Sequence, residues 1–160
     1  SMSNPFFTFK QFTIRHDHSA MKVGTDGVLL GAWAAQEEDS QKKMRVLDVG
    51  VGTGLISLML AQRFPYIQVT GIDIDDSSVK QARENVEAFA LAKKERIVKA
   101  THEWLDTTVS REIEKRSKSG SNALVVWYKD GVDKKLVVET LTDCGYKVED
   151  KINGALSIEW

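Results

Sequence analysis

Two short runs contain the residues best suited to do chemistry, DVGVGTG at 48–54 and GIDID at 71–75. The first has the spacing GxGxG and follows a strand-like segment. Glycines at such a turn let a ligand approach the backbone closely. A carboxylate at the tip of the next strand, here Asp73, can accept hydrogen bonds from ribose hydroxyls. The two runs together predict a nucleoside-binding site.

The carboxylate of Asp48 limits the kinds of ligand that the loop could bind. It would lie beside the glycine loop and repel a pyrophosphate, and Leu55 occupies the place of the third glycine of a dinucleotide fingerprint. A ligand with an ammonium group and no phosphate suits the loop better, and S-adenosylmethionine is such a ligand. The structural alternative is that the glycines only permit a tight turn and that Asp73 is a solvated loop acid. The order strand, acid, glycines, helix and second acid disfavours that alternative.

The elements that must position these runs follow from the hydrophobic pattern. We predict strands at 45–49 and 68–72 and helices at 55–64 and 77–91, with a third short strand at 96–99. Such alternation is typical of βαβ units on a parallel sheet. Ahead of them, the pattern indicates a short aromatic strand or hairpin, a turn at 24–27 and an apolar helix at 28–35.

The sequence pattern changes after Thr101. We predict a charged exposed helix over 102–118, a linker-like junction at 116–122, a buried strand at 123–128 and a helix at 134–142 that stops at Gly145. Asn153-Gly154 lies between strand-like residues and predicts a hairpin with a type I′ turn.

The motifs resemble a known family. DVGVGTG followed by GIDID is similar to the core of class I methyltransferases. The run FKQFTIRHDHSAMKVGTDGVLLGAWA resembles the opening of the bacterial tRNA adenine-N6 methyltransferases that modify a valine tRNA. The resemblance extends from residue 4 to about residue 100 and implies S-adenosylmethionine as the cofactor.

It also implies roles for single residues. Lys22, Thr25 and Asp26 would close over the methionine end of the cofactor. Asp73 would hold the ribose, Ile74 would lie against the adenine, and Thr101 would lie near the adenine edge. The complete set of expected cofactor-binding residues is Lys22, Thr25, Asp26, Asp48, Gly50, Gly52, Gly54, Asp73, Ile74 and Thr101.

The expected fold is α/β, a Rossmann-like class I methyltransferase sheet that is mostly parallel, carries a C-terminal antiparallel hairpin and is abbreviated. Ser1 and Met2 look like a tag remnant. The expected segments are an N-terminal aromatic and basic segment with the cofactor-closing motif (3–35), a cofactor-binding βαβ core (36–115), the junction (116–122) and a part that completes the sheet (123–160).

One family motif is missing. Amino-methyltransferases of this kind carry Asn-Pro-Pro-Tyr/Phe after the fourth strand, where acceptors bind the adenine amine and an aromatic ring stacks on the base. The sequence after residue 100 does not contain it, and the similar run at 4–7 has no strand ahead of it. Catalytic residues therefore stay unassigned.

Three functions remain open on the sequence alone. The first is S-adenosylmethionine-dependent methylation resembling that of tRNA adenine-N6. The second is a shortened or chimeric cofactor-binding fold without catalysis. The third is methylation of a small molecule in a pocket formed by Trp127, Tyr128 and Asp130.

Composition limits the partners. A net charge of −1 over 160 residues disfavours a generally basic nucleic-acid binder, so we expect tRNA contact only through Lys10, Arg15, Lys22 and the nearby phenylalanines. No apolar run approaches a membrane span, and we expect neither a membrane nor a metal partner, with His16 and His18 as solvated polar residues. The single cysteine, Cys144, is expected to be a buried apolar group and indicates a reducing, cytoplasmic location.

Overall fold

A computed structural model describes residues 4–160. Ser1 and Met2, the expected tag remnant, lie outside the described residues. The chain divides into two compact units, of which the first ends at Ala92 and the second comprises Lys93–Trp160. The division falls inside a helix rather than at the predicted junction, 116–122.

The first unit contains the two short strands and the βαβ arrangement that the sequence predicts. Its elements are β1 (Phe6–Thr8), β2 (Thr13–Arg15), α1 (Thr25–Trp33), β3 (Met44–Val49), α2 (Leu55–Arg63), β4 (Ile67–Ile72) and the beginning of α3 (Asp76–Trp104). Strands β1 and β2 pair antiparallel, whereas β3 and β4 pair parallel, in a register that places Asp48 opposite Gly71. The predicted turn at 24–27 is instead the start of α1.

A small apolar cluster joins the N-terminal hairpin to the helices of the first unit. Its buried members are Phe12, Ile14, Leu55, Leu58 and Phe89. The cluster explains the alternation of apolar residues in the opening segment, since β2 buries Ile14 while its neighbours face solvent.

Helices α1 and α2 pack closely because a glycine lies at their contact. A Cβ at Gly31 would come within 2.5 Å of the Met59 sulfur. The Arg63 guanidinium at the end of α2 donates through Nη1 to the carbonyls of Gly31, Ala32 and Ala34 at 2.9–3.0 Å. These bonds satisfy carbonyls at the end of α1 that lack a partner within the helix.

The prediction of a third strand at 96–99 is wrong, because those residues are helical. α3 runs without interruption to Trp104, and a π-helical turn (Leu105–Val109) and α4 (Ser110–Lys118) follow it. The buried residues between positions 100 and 118 are Thr101, Trp104, Leu105, Val109 and Ile113. Their spacing of three to four residues is that of one helix face and outweighs the β-branched pair at 97–98.

The second unit places its helices against an antiparallel sheet. Its remaining elements are β5 (Ala123–Trp127), α5 (Lys134–Asp143), β6 (Lys147–Asp150) and β7 (Ala155–Glu159), with strand order β5-β7-β6. Its core includes Trp104, Val109, Val137, Leu156 and Ile158. Gly145 ends α5 as predicted, with a φ of +91°.

The C-terminal hairpin is confirmed, but its predicted turn type is wrong. The connection between β6 and β7 is a four-residue loop, 151–154, in which the Lys151 amide donates to the Ala155 carbonyl. Backbone φ is positive at Gly154 and not at Asn153, whereas a type I′ turn requires it at both central residues.

The expected α/β class is therefore confirmed, with one difference in the sheet. Among the described strands, only β3 and β4 pair parallel, and the other pairs are antiparallel. Because α3 replaces the third strand, β4 has β3 as its one neighbour in this part of the chain. An apolar groove of about 490 Å³ lies beside β4 and is lined by residues of β4, α2 and α3, among them Val69, Leu58 and Val86.

Candidate functional site

The glycine loop follows β3 in a conformation that requires glycine. Backbone φ is +76° at Gly50, +53° at Gly52 and +81° at Gly54. Both Gly50 and Val51 donate their amide hydrogens to the Ile72 carbonyl, at 2.8 and 3.0 Å, so the loop is fixed to the end of β4. A Cβ at Gly50 would meet no atom within 4 Å, which leaves open space for a ligand against the backbone.

Asp73 joins the second strand tip to this loop. Its Oδ2 accepts the Gly52 amide hydrogen at 2.8 Å, and its Oδ1 accepts that of Asp75 at 3.0 Å. These two backbone hydrogen bonds, the Asp75 bond first, lower the pKa of the Asp73 carboxyl below its usual range. Each oxygen keeps a second lone pair, so the carboxylate can still accept a hydroxyl pair.

Asp48 supplies a second carboxylate at the end of β3. It is half-buried, and its Oδ2 accepts the Ser57 hydroxyl of α2 at 2.6 Å. Two carboxylates thus lie at the ends of two paired strands, Asp48 within the last residues of β3 and Asp73 directly after β4. This arrangement favours a cationic or hydroxyl-bearing ligand over a phosphate, which agrees with the chemistry of S-adenosylmethionine.

The start of α1 lies next to the start of α2. A Cβ at Gly27 would come within 3.1 Å of Leu55, the residue that directly follows Gly54. Thr25 and Asp26 are exposed in this first turn of α1, and Lys22 is exposed ahead of it. The structure therefore brings the segment expected to close over the methionine end to the glycine loop.

Ile74 and Thr101 have contrasting environments. Ile74 is fully exposed directly after Asp73 and is free to contact a base. Thr101 is buried inside the second unit, where its hydroxyl donates to the Ile97 carbonyl and accepts the Asp133 amide hydrogen, both at 2.8 Å. Thr101 was expected after a strand that does not form, so we leave it out of the candidate site.

Sequence reasoning missed a row of polar residues on α3, Ser77, Ser78, Gln81 and Asn85. Gln81 and Asn85 are each 1% exposed; Asn85 hydrogen-bonds Arg15 at the end of β2, and Gln81 hydrogen-bonds His18 beyond it. A signal was present in the sequence, because polar residues at 78, 81 and 85 fall on one face of a helix that must bury a face.

The two expected solvated histidines differ from each other: His18 is exposed, as expected, whereas His16 is not. His16 is buried rather than solvated: its Nδ1 accepts the Val23 amide hydrogen at 3.0 Å, and its Nε2 lies 2.7 Å from the Asn4 carbonyl, to which it donates. Among residues 4–160, no group of three or more His, Cys, Asp or Glu side chains is placed to hold a metal ion.

The N-terminal basic and aromatic residues are only partly available to a partner. Phe6 and Phe7 are each 45% exposed, whereas Phe12 is buried in the apolar cluster. Arg15 forms an ion pair with Asp17 at 2.9 Å, while Lys10 is exposed. Among the hairpin residues, Lys10, Phe6, Phe7 and Arg15, whose side chain is 58% exposed, are therefore the ones that a partner could reach.

The strand tip that we considered for a small-molecule pocket separates its two aromatic side chains. Trp127 and Tyr128 are adjacent in β5 and its continuation, so they point to opposite faces. Trp127 is largely exposed, whereas the Tyr128 ring lies 6.1 Å from that of Trp104. The expectation for Cys144 is also wrong, since it is exposed.

Comparison with known proteins confirms the predicted resemblance. Residues 46–111 match the family model described as a methyltransferase domain. Such domains take S-adenosylmethionine as cofactor, as the loop chemistry predicts. Within the described residues no helix is long and apolar enough to cross a bilayer.

Three curated relatives share one name, tRNA1(Val) (adenine(37)-N6)-methyltransferase. The chain is 58% identical to the Bacteroides thetaiotaomicron protein over 86 residues, 53% of this chain and 35% of that one. It is 60% identical to the Parabacteroides distasonis protein over 85 residues, 53% of this chain and 34% of that one. With the Porphyromonas gingivalis protein it shares 48% identity over 108 residues, 68% of this chain and 42% of that one. The similarity thus spans between about a third and two fifths of the length of these relatives.

Among solved structures, the precorrin-6y C5,15-methyltransferase of Geobacter metallireducens superposes with a TM-score of 0.37 and 16% identity. The superposition covers 89% of this chain and 92% of that one. These values are too low to argue a shared fold, so the assignment depends on the motifs and the sequence relatives.

Proposed function

We propose that this chain, which matches the model of a methyltransferase domain over residues 46–111, binds S-adenosylmethionine in its first unit and methylates the N6 amine of an adenine in tRNA. The observation that carries the proposal is the loop geometry. Three glycines with positive φ lie between Asp48 and Asp73, and an exposed segment of α1 lies beside them. The names of the curated relatives support the choice of tRNA adenine.

Each residue would contact a different part of the ligand. Asp73 would accept the ribose hydroxyls, because both its oxygens are held in place and each keeps a free lone pair. Ile74 would lie against the adenine. Gly50 and Gly52 would let the ligand lie against the backbone, with Asp48 near its ammonium group and Thr25 and Asp26 over its methionine end.

S-Adenosylmethionine supplies a methyl group on a positively charged sulfur. The contribution of the protein to such a transfer is mainly to hold the acceptor in line with that group and to exclude water. We expect Lys10, at the hairpin tip, and the exposed rings of Phe6 and Phe7 in β1 to contact the RNA, together with Arg15 and Lys22. A protein that acts on tRNA would be cytoplasmic.

A second candidate function is cofactor binding without methyl transfer. Two observations favour it. The Asn-Pro-Pro-Tyr/Phe tetrapeptide is absent from the sequence. In addition, α3 continues through 96–99, where the hydrophobic pattern of the sequence predicted a third strand.

Two experiments test the proposal in turn. Calorimetric titration with S-adenosylmethionine should give saturable binding, and a flat heat trace at about millimolar ligand would overturn the cofactor assignment. Tritiated methyl transfer into bulk unmodified tRNA then separates the two candidate functions. Incorporation above a no-enzyme background supports the methyltransferase, whereas binding without incorporation supports the inactive form.

A further inference from the structure

The polar row on α3 consists of Ser77, Ser78, Gln81 and Asn85. Three of its members are nearly inaccessible to solvent, with exposures of 3% for Ser78 and 1% for Gln81 and Asn85. Burying a polar side chain is unfavourable unless it is hydrogen-bonded, so the partners of the row indicate what it stabilises. The hydrogen-bond partners of the row belong to the first unit.

Asn85 joins two segments that are far apart in the sequence. Its Oδ1 accepts the Arg15 amide hydrogen, and its Nδ2 donates to the carbonyls of Arg15 and Thr53, each at 2.9 Å. Thr53 lies in the glycine loop, between Gly52 and Gly54. One buried side chain therefore fixes the end of β2 to the cofactor loop.

The rest of the row continues this attachment toward the start of α3. The Gln81 amide nitrogen donates to Asp17 Oδ1 at 2.8 Å, and its oxygen accepts the His18 amide hydrogen at 3.2 Å. The Ser77 hydroxyl donates to the His18 carbonyl at 3.0 Å. We call residues 15–26 the strap, and its first four residues are thus aligned along α3.

His16 connects the first residues of the strap to its far end. Because its Nδ1 accepts the Val23 amide hydrogen, the position of Val23 is set by a residue next to the one that Asn85 holds. Val23 also packs against the apolar cluster of Phe12, Ile14 and Leu55. Thr25 and Asp26 follow directly, beside the glycine loop.

We infer that Asn85 is a positioning residue for the cofactor site: it sets the strap over the glycine loop without touching the ligand itself. The inference rests on the proposed function, since it assigns the strap to the methionine end of S-adenosylmethionine. The inference gives the site two separate parts. The strap lies over the methionine end, whereas Asp73 and Ile74, which would bind the ribose and the base, are not part of the strap.

The test compares two ligands on the intact chain. Asn85→Leu keeps a similar volume and removes all three hydrogen bonds. We expect its affinity for S-adenosylhomocysteine to fall by about tenfold or more, while its affinity for adenosine, which has no methionine part, changes by less than about twofold. Gln81→Leu, which frees the strap but leaves the bond to Thr53, should show the same selectivity. The exposed Glu87→Leu on the same helix is the matched control and should change neither affinity.

A second measurement follows the strap directly. Trypsin should cleave after Lys22 faster in Asn85→Leu than in the unaltered chain, with circular dichroism showing that the variant is folded. Unchanged cleavage and unchanged binding would overturn the inference, as would an equal loss of affinity for both ligands. If the unaltered chain binds neither ligand, the proposed function fails, and the role of Asn85 in cofactor binding fails with it.

Discussion

The Asp73 carboxylate and the Gly52 amide lie 2.8 Å apart and form a hydrogen bond between the tip of β4 and the glycine loop that follows β3. The bond links two tips that the parallel register of the strands already brings to the same edge of the sheet. It orients the carboxylate before any ligand binds, which lowers the cost of ordering the site on binding.

Replacing Asp73 tests the ribose contact. Asp73→Ala removes the proposed acceptor and the bond to Gly52, and we expect affinity for S-adenosylmethionine to fall by about tenfold or more in a calorimetric titration. Asp76→Ala changes an exposed carboxylate three residues later, in the first turn of α3, and should bind like the unaltered chain. Equal affinities in the two variants would reject the ribose role.

Gly50→Ala tests the open face of the glycine loop. A left-handed backbone costs a non-glycine residue about 1–2 kcal/mol, and the new methyl group would project into the space we assign to the cofactor. Gly120→Ala provides a matched control, because Gly120 also has a positive φ, +81°, and no atom within 4 Å of a Cβ. We expect similar losses of thermal stability in both variants and a loss of cofactor binding in Gly50→Ala alone. Undiminished binding by Gly50→Ala would contradict the assignment of that space.

Arg63→Lys tests the cap at the end of α1. Lysine keeps the positive charge but lacks the planar group that reaches three carbonyls, so the free energy of unfolding of the first unit should fall by about 1–2 kcal/mol. Urea titration followed by circular dichroism measures the change. The same substitution at the exposed Arg83 of α3 should have little effect, and equal stability of the two variants would show that the cap contributes nothing.

Tyr128 gives the second unit a distinct alkaline titration. Its hydroxyl is buried without a hydrogen-bond partner among the described residues, and burial, followed by the negative charge of Asp150, raises its pKa to about 12. Because the folded pKa lies above the usual value of 10, the resulting stabilisation is fully present below pH 10 and is lost as the pH rises toward 12. Absorbance of tyrosinate near 295 nm should show a late step that Tyr128→Phe removes. An identical titration curve in that variant would contradict the prediction.

Short-range patterns predicted much of the first unit. The glycine run, the two strand tips and helix α2 form as expected, because each depends on neighbours a few residues away: glycine where φ is positive, and apolar alternation where a strand is half-buried. The roles assigned to Lys22, Thr25, Asp26 and Ile74 stay predictions, since they concern a ligand.

Short-range patterns did not predict which groups the buried polar side chains would hydrogen-bond. Asn85 and Gln81 are ordinary polar residues in a helical run, and their function is visible only when the strap, some 60 to 70 residues earlier, lies against them. The same is true of His16, whose two ring nitrogens are occupied by backbone groups.

The sequence by itself determined the glycine loop and the acids beside it, since local backbone conformation and residue type suffice to specify them. The tertiary structure decided the course of residues 93–104. The pair Ile97-Val98 favours a strand, but burial of Thr101, Trp104 and Leu105 on one face requires a helix. A short β-branched pair contributes less than the burial of a continuous apolar face, and only the folded chain shows which contribution is larger.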